Sequence, residues 1–319
     1  MRRRRENGDA RLDDAARAGW LYYVAGNTQD EIAAKLGISR QSAQRLVSLA
    51  VSEGLVKVRL DHPLANCLDL AARLRERFGL ALCEVAPTDP ASDSTTLGVA
   101  EATAAEMERR LKSPETKVIA IGTGRTLKAA GELLPRIDAP DKKIVSLTGN
   151  FTPDGSAAFY SVIFTMAEVV NARHYPLPMP VIAASPEERD LLHQQIIVRS
   201  TLELVAQADV TFLGIGELSP RAPLQEDGFV TKAELAALRE AGAVVEIIGW
   251  AFDAEGRMIQ GLTNARVASA PLPSPERSLV IAVAKGEAKL PGIRVAVGRP
   301  LVNGLITDEW TAETLLSGR

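Results

Sequence analysis

From residue 80 onward the chain alternates short, β-branched apolar runs with longer amphipathic stretches, and this rhythm restricts the fold more than any other feature. The apolar runs 81–87, 117–121, 143–148, 210–215, 243–248 and 279–284 are bounded by Gly, Pro or Asp, as strands are. Helical periodicity occupies 95–111, 125–134, 187–207 and 232–241 between them. A strand that is followed by a helix crosses over and lies parallel to its predecessor. The expectation is an α/β domain whose parallel sheet is covered on both faces, which is why its runs are apolar throughout. Ligands in such sheets sit beyond the carboxyl ends of the strands. The turns after the strands are therefore where function is sought.

Residues 28–53 have a different texture. Thr28 and Glu31 stand at capping-box spacing, and Ile32, Ala33 and Leu36 make one apolar face of a short helix. Gly37 ends it, Ile38 fills the corner and Ser39 can cap a second helix from Arg40 to about Glu53. In that second helix Ala43, Leu46, Val47 and Ala50 fall at i, i+3, i+4 and i+7, while Gln41, Gln44, Arg45 and Ser48 occupy the other face. The pattern reads as a helix-turn-helix whose second helix offers hydrogen-bonding side chains to a DNA major groove. Arg and Gln can bond guanine and adenine edges in pairs, and Arg40 at the helix start can instead clamp a phosphate. With the caps Thr28 and Ser39, these residues form the expected DNA-facing set: Arg40, Gln41, Gln44, Arg45 and Ser48. A solvated helix face is the plain alternative, but such faces usually mix in Glu and Lys, and 40–48 holds neither.

Charge divides along the same line. Residues 1–60 carry eleven Lys/Arg against seven Asp/Glu, a net +4, whereas the other 259 carry 26 against 33, a net −7. A basic segment is drawn to phosphates and an acidic body discourages nonspecific wrapping. Residues 2–5, all Arg, read equally as an arm on the DNA backbone or as a solubilising tail. A helix is expected from near Leu12, with Ala16, Trp20 and Tyr23 turned into the core of a small three-helix domain. After Gly54, residues 55–60 alternate as a short wing strand, with Lys57 and Arg59 on one side of it.

At 319 residues two domains are the natural partition. The reading is a DNA-binding domain over 1–60, a linker helix over 61–79 and an effector-binding, oligomerising domain over 80–319. In the linker, Leu64, Cys67, Ala71, Leu74 and Phe78 recur about every 3.5 residues. That is a pairing seam in one reading and a helix packed on its own domain in the other. No apolar run approaches the ~20 residues of a membrane span, and no export signal follows the N-terminal arginines, so the cytoplasm and no membrane partner are expected. Cys67 and Cys83 lack CxxC spacing, and His62, His174 and His193 are scattered, so neither metal nor cofactor is expected.

The turn after 118–121 reads IGTGRTLKA. Gly122 and Gly124 let backbone N–H groups approach a ligand, Thr123 and Thr126 add hydroxyls, and Arg125 and Lys128 add charge at a helix start that already favours anions. It is neither a Walker loop nor GxGxxG, so nucleotide binding is not indicated. The turns at Thr148-Gly149-Asn150, Gly214-Ile215-Gly216 and 252–256 have a similar makeup, and Lys285 and Lys289 flank Gly286. Glycines converging with an Asp and a Lys suit a polyhydroxylated ligand. A sugar-phosphate isomerase-like enzyme with an accessory DNA-binding domain is the rival. Its proton transfers need a positioned base, and the motifs offer Glu217, Asp253 and Glu255 but no histidine. No catalytic residue is therefore assigned.

The segments LYYVAGNTQDEIAAKLGISRQSAQRLVSLAVSEGLV, IGTGRTL, GIGELSP, GAVVEIIGWAFDAEG and, at 302–316, VNGLITDEWTAETLL together resemble the SorC/DeoR-type family of sugar-binding bacterial transcriptional regulators, over nearly the full length. The resemblance implies an N-terminal winged helix-turn-helix and a Rossmann-like effector domain of the phosphosugar isomerase/CoA-transferase-like type, without enzyme activity. It implies homodimers or homotetramers whose binding to a double-stranded DNA operator responds to a sugar, polyol or sugar-phosphate effector. It places Gly122, Thr123, Gly124, Arg125 and Thr126 on the effector's phosphate or terminal hydroxyls, with Gly149 and Asn150 beside them. It sets Asp253 toward sugar hydroxyls and Lys289 over the site as a cation. Two positions depart from the family pattern. Thr148 stands where phosphate-binding members can place an arginine, which favours a free sugar or polyol, and Gly286 is single where a pair is frequent.

Overall fold

A computed structural model describes residues 2–56, 64–92, 94–152, 155–156, 158–220 and 222–318, with side chains from Arg11 onward. The chain divides into two compact units, Met1–His62 and Pro63–Arg319.

The first unit holds α1 (Arg2–Tyr23), α2 (Gln29–Leu36) and α3 (Arg40–Ser52). Its core is Ala18, Ile32, Ala33, Ala43 and Val47, with Leu21, Leu36, Ile38 and Leu46 packed around it. The buried stripe of α1 differs from the expected one. Ala15, Ala18 and Gly19 face inward, whereas Ala16 and Tyr23 are exposed and Trp20 is 56% exposed. The reason is close helix approach: a Cβ on Gly19 would lie 2.6 Å from Val56 Cγ2 and 2.8 Å from Ala50 Cβ. An indole in this crossing would force the helices apart. The helix also begins at Arg2, ten residues before the expected start. Leu55 and Val56 fold back onto the Ala50 carbonyl, and the rest of the expected wing, with Lys57 and Arg59, lies outside the described residues, as does His62.

Among the described residues the second unit has nine strands: β1 (Leu82–Ala86), β2 (Val118–Ile121), β3 (Ile137–Phe151), β4 (Val170–Pro180), β5 (Val210–Gly214), β6 (Ala243–Ile247), β7 (Trp250–Asp253), β8 (Leu279–Val283) and β9 (Gly304–Asp308). The helices are α4 (Ala65–Phe78), α5 (Val99–Lys112), α6 (Arg125–Leu133), α7 (Val162–Ala167), α8 (Pro186–Gln194), α9 (Ile196–Val205), α10 (Pro223–Glu226), α11 (Lys232–Glu240), α12 (Leu290–Gly298) and α13 (Glu309–Ser317). Seven strands form one sheet in the order β1-β9-β8-β5-β2-β3-β4. Every neighbouring pair in it is parallel, for example Val118 against Lys143 and Leu82 against Gly304.

Alternation along the strands sends residues to opposite faces. Val118, Ala120, Leu213 and Ala282 join α4, α9, α12 and α13 in one core. Ile119, Ile121, Phe212 and Ile281 join α5, α6 and α7 in the other. Both faces are covered, as the apolar runs require. The run 243–248 is the exception. Its β6 pairs antiparallel with β7 in a separate hairpin, whose Val245, Ile247 and Phe252 join the first core while Ala243 and Ala251 pack with α11 in a third. The sheet takes β4 and β9 instead, neither of which is an uninterrupted apolar run; β4 carries Pro176, Pro178 and Pro180 at the sheet edge, where a missing N–H is tolerated.

The seam of α4 is used within the chain. Cys67, Leu70, Ala71 and Leu74 are buried against the sheet core with Leu315 of α13. Its heptad-like spacing is therefore also that of a helix lying on its own sheet, with Leu64 of the stripe left exposed. The expected helix 187–207 is likewise divided into α8 and α9 at Gln195, which is extended. Among the described residues no helix is long and apolar enough to cross a membrane.

Candidate functional site

In the first unit the α2–α3 corner forms as the sequence spacing requires. Thr28 Oγ1 accepts from the Glu31 amide at 3.3 Å, and Glu31 accepts from the Thr28 amide at 2.7 Å, closing the capping box. These bonds hold the Glu31 carboxyl below its usual range. Gly37 turns the corner at φ 64°, and Ser39 accepts from the Ser42 amide at 3.1 Å. Thr28 and Ser39 are thus committed to the caps. Arg40, Gln41, Gln44, Arg45 and Ser48 are all exposed, and Arg40 makes a solvent-facing ion pair with Asp30 at 3.5 Å. This α3 surface exposes hydrogen-bond donors and two guanidinium groups.

In the second unit the strands β8, β5, β2 and β3 are neighbours, and the turns beyond them meet at a cavity of ≈ 480 Å³. That falls in the range of about 300–1,000 Å³ usual for small-molecule sites. Of the residues expected to hold the effector, Thr123, Gly124, Arg125, Thr126 and Lys289 line it. Gly124 caps α6 at φ 128°, where a side chain would be strained, so the first-turn amides of α6 point at the cavity. The Thr123 hydroxyl donates to the Tyr160 carbonyl, and Lys128 donates to the Phe159 carbonyl at 3.3 Å. Arg125 lies 5.7 Å from the Tyr160 ring centroid, and its bond to that residue, with one to Glu226, holds the guanidinium further in its charged form.

The remaining expected residues sit elsewhere. Gly122 backs the loop, donating to the Phe212 carbonyl at 2.8 Å. Gly149 is an internal residue of β3 where β4 comes very close: a Cβ there would lie 2.2 Å from the Met179 carbonyl oxygen. Asn150 is buried and acts as a bracket. Its amide donates to the Leu177 carbonyl at 3.1 Å, its side-chain oxygen accepts from Ser161 at 2.9 Å and its backbone carbonyl accepts from the Ala158 amide at 2.8 Å. It thereby positions the Phe159–Tyr160 wall without lining the cavity. Asp253 is displaced from the assigned role. It closes the turn after β7, accepting from Arg257 Nε and from the Glu255 and Arg257 amides, each at 2.9 Å, which keeps its carboxyl below the usual range. Held in this turn, it does not line the cavity.

Glu246, on β6, is among the carboxylates that do line it. Gly216 exchanges backbone bonds with Glu246, N–H to carbonyl at 2.8 Å and 3.2 Å, and has no side chain to block the carboxylate: a Cβ on it would lie 1.9 Å from Glu246 Oε2. The other oxygen accepts from the Gly249 amide. Burial pushes the Glu246 carboxyl up, opposed by that amide and by Lys289. Burial likewise pushes the Lys289 ammonium down, opposed by Glu246 and Glu217. Burial also raises Asp227, another lining acid. The sequence did carry one signal for Glu246, a lone acid inside the apolar run 243–248. Asp227 and the Phe159–Tyr160 wall lie in irregular segments with no periodicity to mark them.

The sugar-binding domain family (Sugar-bind) matches residues 62–317. The chain belongs to the SorC-type sugar-binding regulators. It is 34% identical over 302 residues to the "Erythritol catabolism regulatory protein EryD" of Brucella abortus, covering 95% of this chain and 96% of that one. It is 28% identical over 320 residues to the "Transcriptional regulator LsrR" of Escherichia coli K12, covering 98% and 96%. The full-length sorbitol operon regulator SorC of Klebsiella pneumoniae has the same fold, with a TM-score of 0.72 at 24% identity over 95% of this chain and 97% of that one. As a SorC-type regulator the chain is a sugar-responsive transcriptional regulator.

Proposed function

We propose that this SorC-type regulator controls a carbohydrate catabolic operon, reading a double-stranded operator with α3 of an N-terminal winged helix-turn-helix and sensing a small polyhydroxylated effector in the cavity at the strand ends. The observation that carries the reading is the meeting of the α6 N-terminus, Glu246 and Lys289 at that one cavity, in a chain whose first unit exposes Arg40, Gln44 and Arg45. Donors on one wall and carboxylates on another match a ligand whose every hydroxyl both donates and accepts. The name of the erythritol regulator supports a polyol among the candidates. The effector domain is of the Rossmann-like phosphosugar isomerase/CoA-transferase type, acting in the cytoplasm as a homodimer or homotetramer that presents two recognition helices ~34 Å apart.

Effector binding shifts the balance between DNA-competent and DNA-incompetent states by no more than its differential affinity for them. Mobility shifts with fragments of the adjacent promoter test the reader. Complexes should form with the wild type, should respond to an added polyol or sugar, and should be lost when Arg40, Gln44 and Arg45 are all changed to Ala. Equal retardation by the triple variant removes α3 as the reader. Glu246 and Lys289 are also the groups a proton-transfer enzyme would use. Turnover of sugar phosphates by the pure protein would replace the sensing role of the cavity.

A further inference from the structure

Each cation lining the cavity, among the described residues, already has acidic company. Arg125 Nη2 is 3.3 Å from Glu226, Lys285 Nζ is 3.6 Å from buried Asp308, and Lys289 is flanked by Glu246 and Glu217. The lining itself sets Glu217, Asp227, Glu246 and Glu287 against Arg125, Lys285 and Lys289. A phosphate dianion entering here would surrender its hydration to cations that are already neutralised, and would meet carboxylates of its own sign. Hydroxyl groups lose far less on burial, and they can donate to a carboxylate while accepting from an ammonium or a helix N-terminal amide.

The wall that carries Glu246 is built at a cost in backbone freedom. The β6–β7 hairpin turns through Ile248 at φ 49° and Gly249 at φ 94°, and both residues line the cavity. A left-handed conformation is rare for a β-branched residue, and such outliers persist where the surroundings hold them for function. This turn aims the Gly249 amide at Glu246 and, with the missing side chain of Gly216, sets the carboxylate in one orientation.

We infer that the effector is an uncharged, unphosphorylated polyol or sugar, and that Glu246 selects it by accepting hydrogen bonds from its hydroxyls. The inference rests on the cavity being the effector site. Calorimetry on the full chain with C4–C6 alditols and aldoses, their monophosphates and inorganic phosphate tests both together. At least one unphosphorylated compound should bind ten or more times tighter than its monophosphate, and Glu246→Gln should weaken it at least tenfold while thermal melts show the variant folded. A monophosphate that binds the wild type as tightly as its parent, or tighter, overturns the inference without any variant. So does unchanged affinity in folded Glu246→Gln. Thr126→Trp, which fills the cavity, separates the two levels. If it leaves binding intact, the site itself is misplaced; if it abolishes binding while phosphates are preferred, only the charge selection fails.

Discussion

Glu246 and Lys289 oppose each other in their pH dependence as well as in charge. A carboxyl whose folded value is raised binds protons more readily when folded, so its destabilising effect grows as pH rises from about 4.5 toward the folded value. A lysine whose folded value is lowered acts in the reverse sense, and stability returns as pH approaches 10.5. Glu246→Gln should therefore remove the loss of stability on the acidic side, and Lys289→Met the recovery on the alkaline side, in denaturant melts of effector-free protein. If the stability profile of Glu246→Gln parallels that of the wild type between pH 4.5 and 7, the carboxyl is not held as described. Residue-level reading of the sequence named cations that line this cavity, Arg125 and Lys289, and an acid, Asp253, that does not line it. Asp253 sits in a turn motif that looks ligand-ready, yet Arg257 four residues on satisfies it; Glu246 stands in an apolar run, and only the hairpin aims it inward.

At the scale of elements, α4 shows how one spacing serves two outcomes. A repeat near 3.5 residues is the signature of a paired seam, but a single amphipathic helix on a sheet needs nearly the same stripe. Leu74, fully buried in that stripe, packs in the chain's own sheet core. Leu74→Ala should lower unfolding stability by about 2–5 kcal/mol, the range for deleting a buried leucine, without a concentration dependence that a lost subunit contact would give. A destabilisation below about 1 kcal/mol, or one that protein concentration reverses, would return α4 to a pairing role. The helical caps at Thr28 and Ser39 were legible because a cap depends on residues three apart. The face of α1 was not, because Gly19 and Ala18 compete with Trp20 for the same crossing, and only the distance to α3 chooses the smaller side chains.

For the whole molecule, the regulatory reading carries a thermodynamic constraint. If one effector changes operator affinity by some factor, saturating operator DNA must change effector affinity by the same factor. Anisotropy titrations with labelled operator and calorimetry of the DNA complex should give equal factors; unequal ones would mean that the effector acts on something other than the DNA-binding equilibrium. The sequence by itself determined the parallel sheet, the capped helix pair and the glycine turns after β2, β5 and β8, because periodicity, caps and turn chemistry are local and survive without knowledge of neighbours. Only the tertiary structure decided that Glu246 lines the cavity and Asp253 does not, that 243–248 leaves the sheet for a hairpin, that β9 is inserted beside β1, and that α4 lies on its own sheet. Those outcomes depend on which surfaces approach most closely, and that competition is settled between segments distant in the chain.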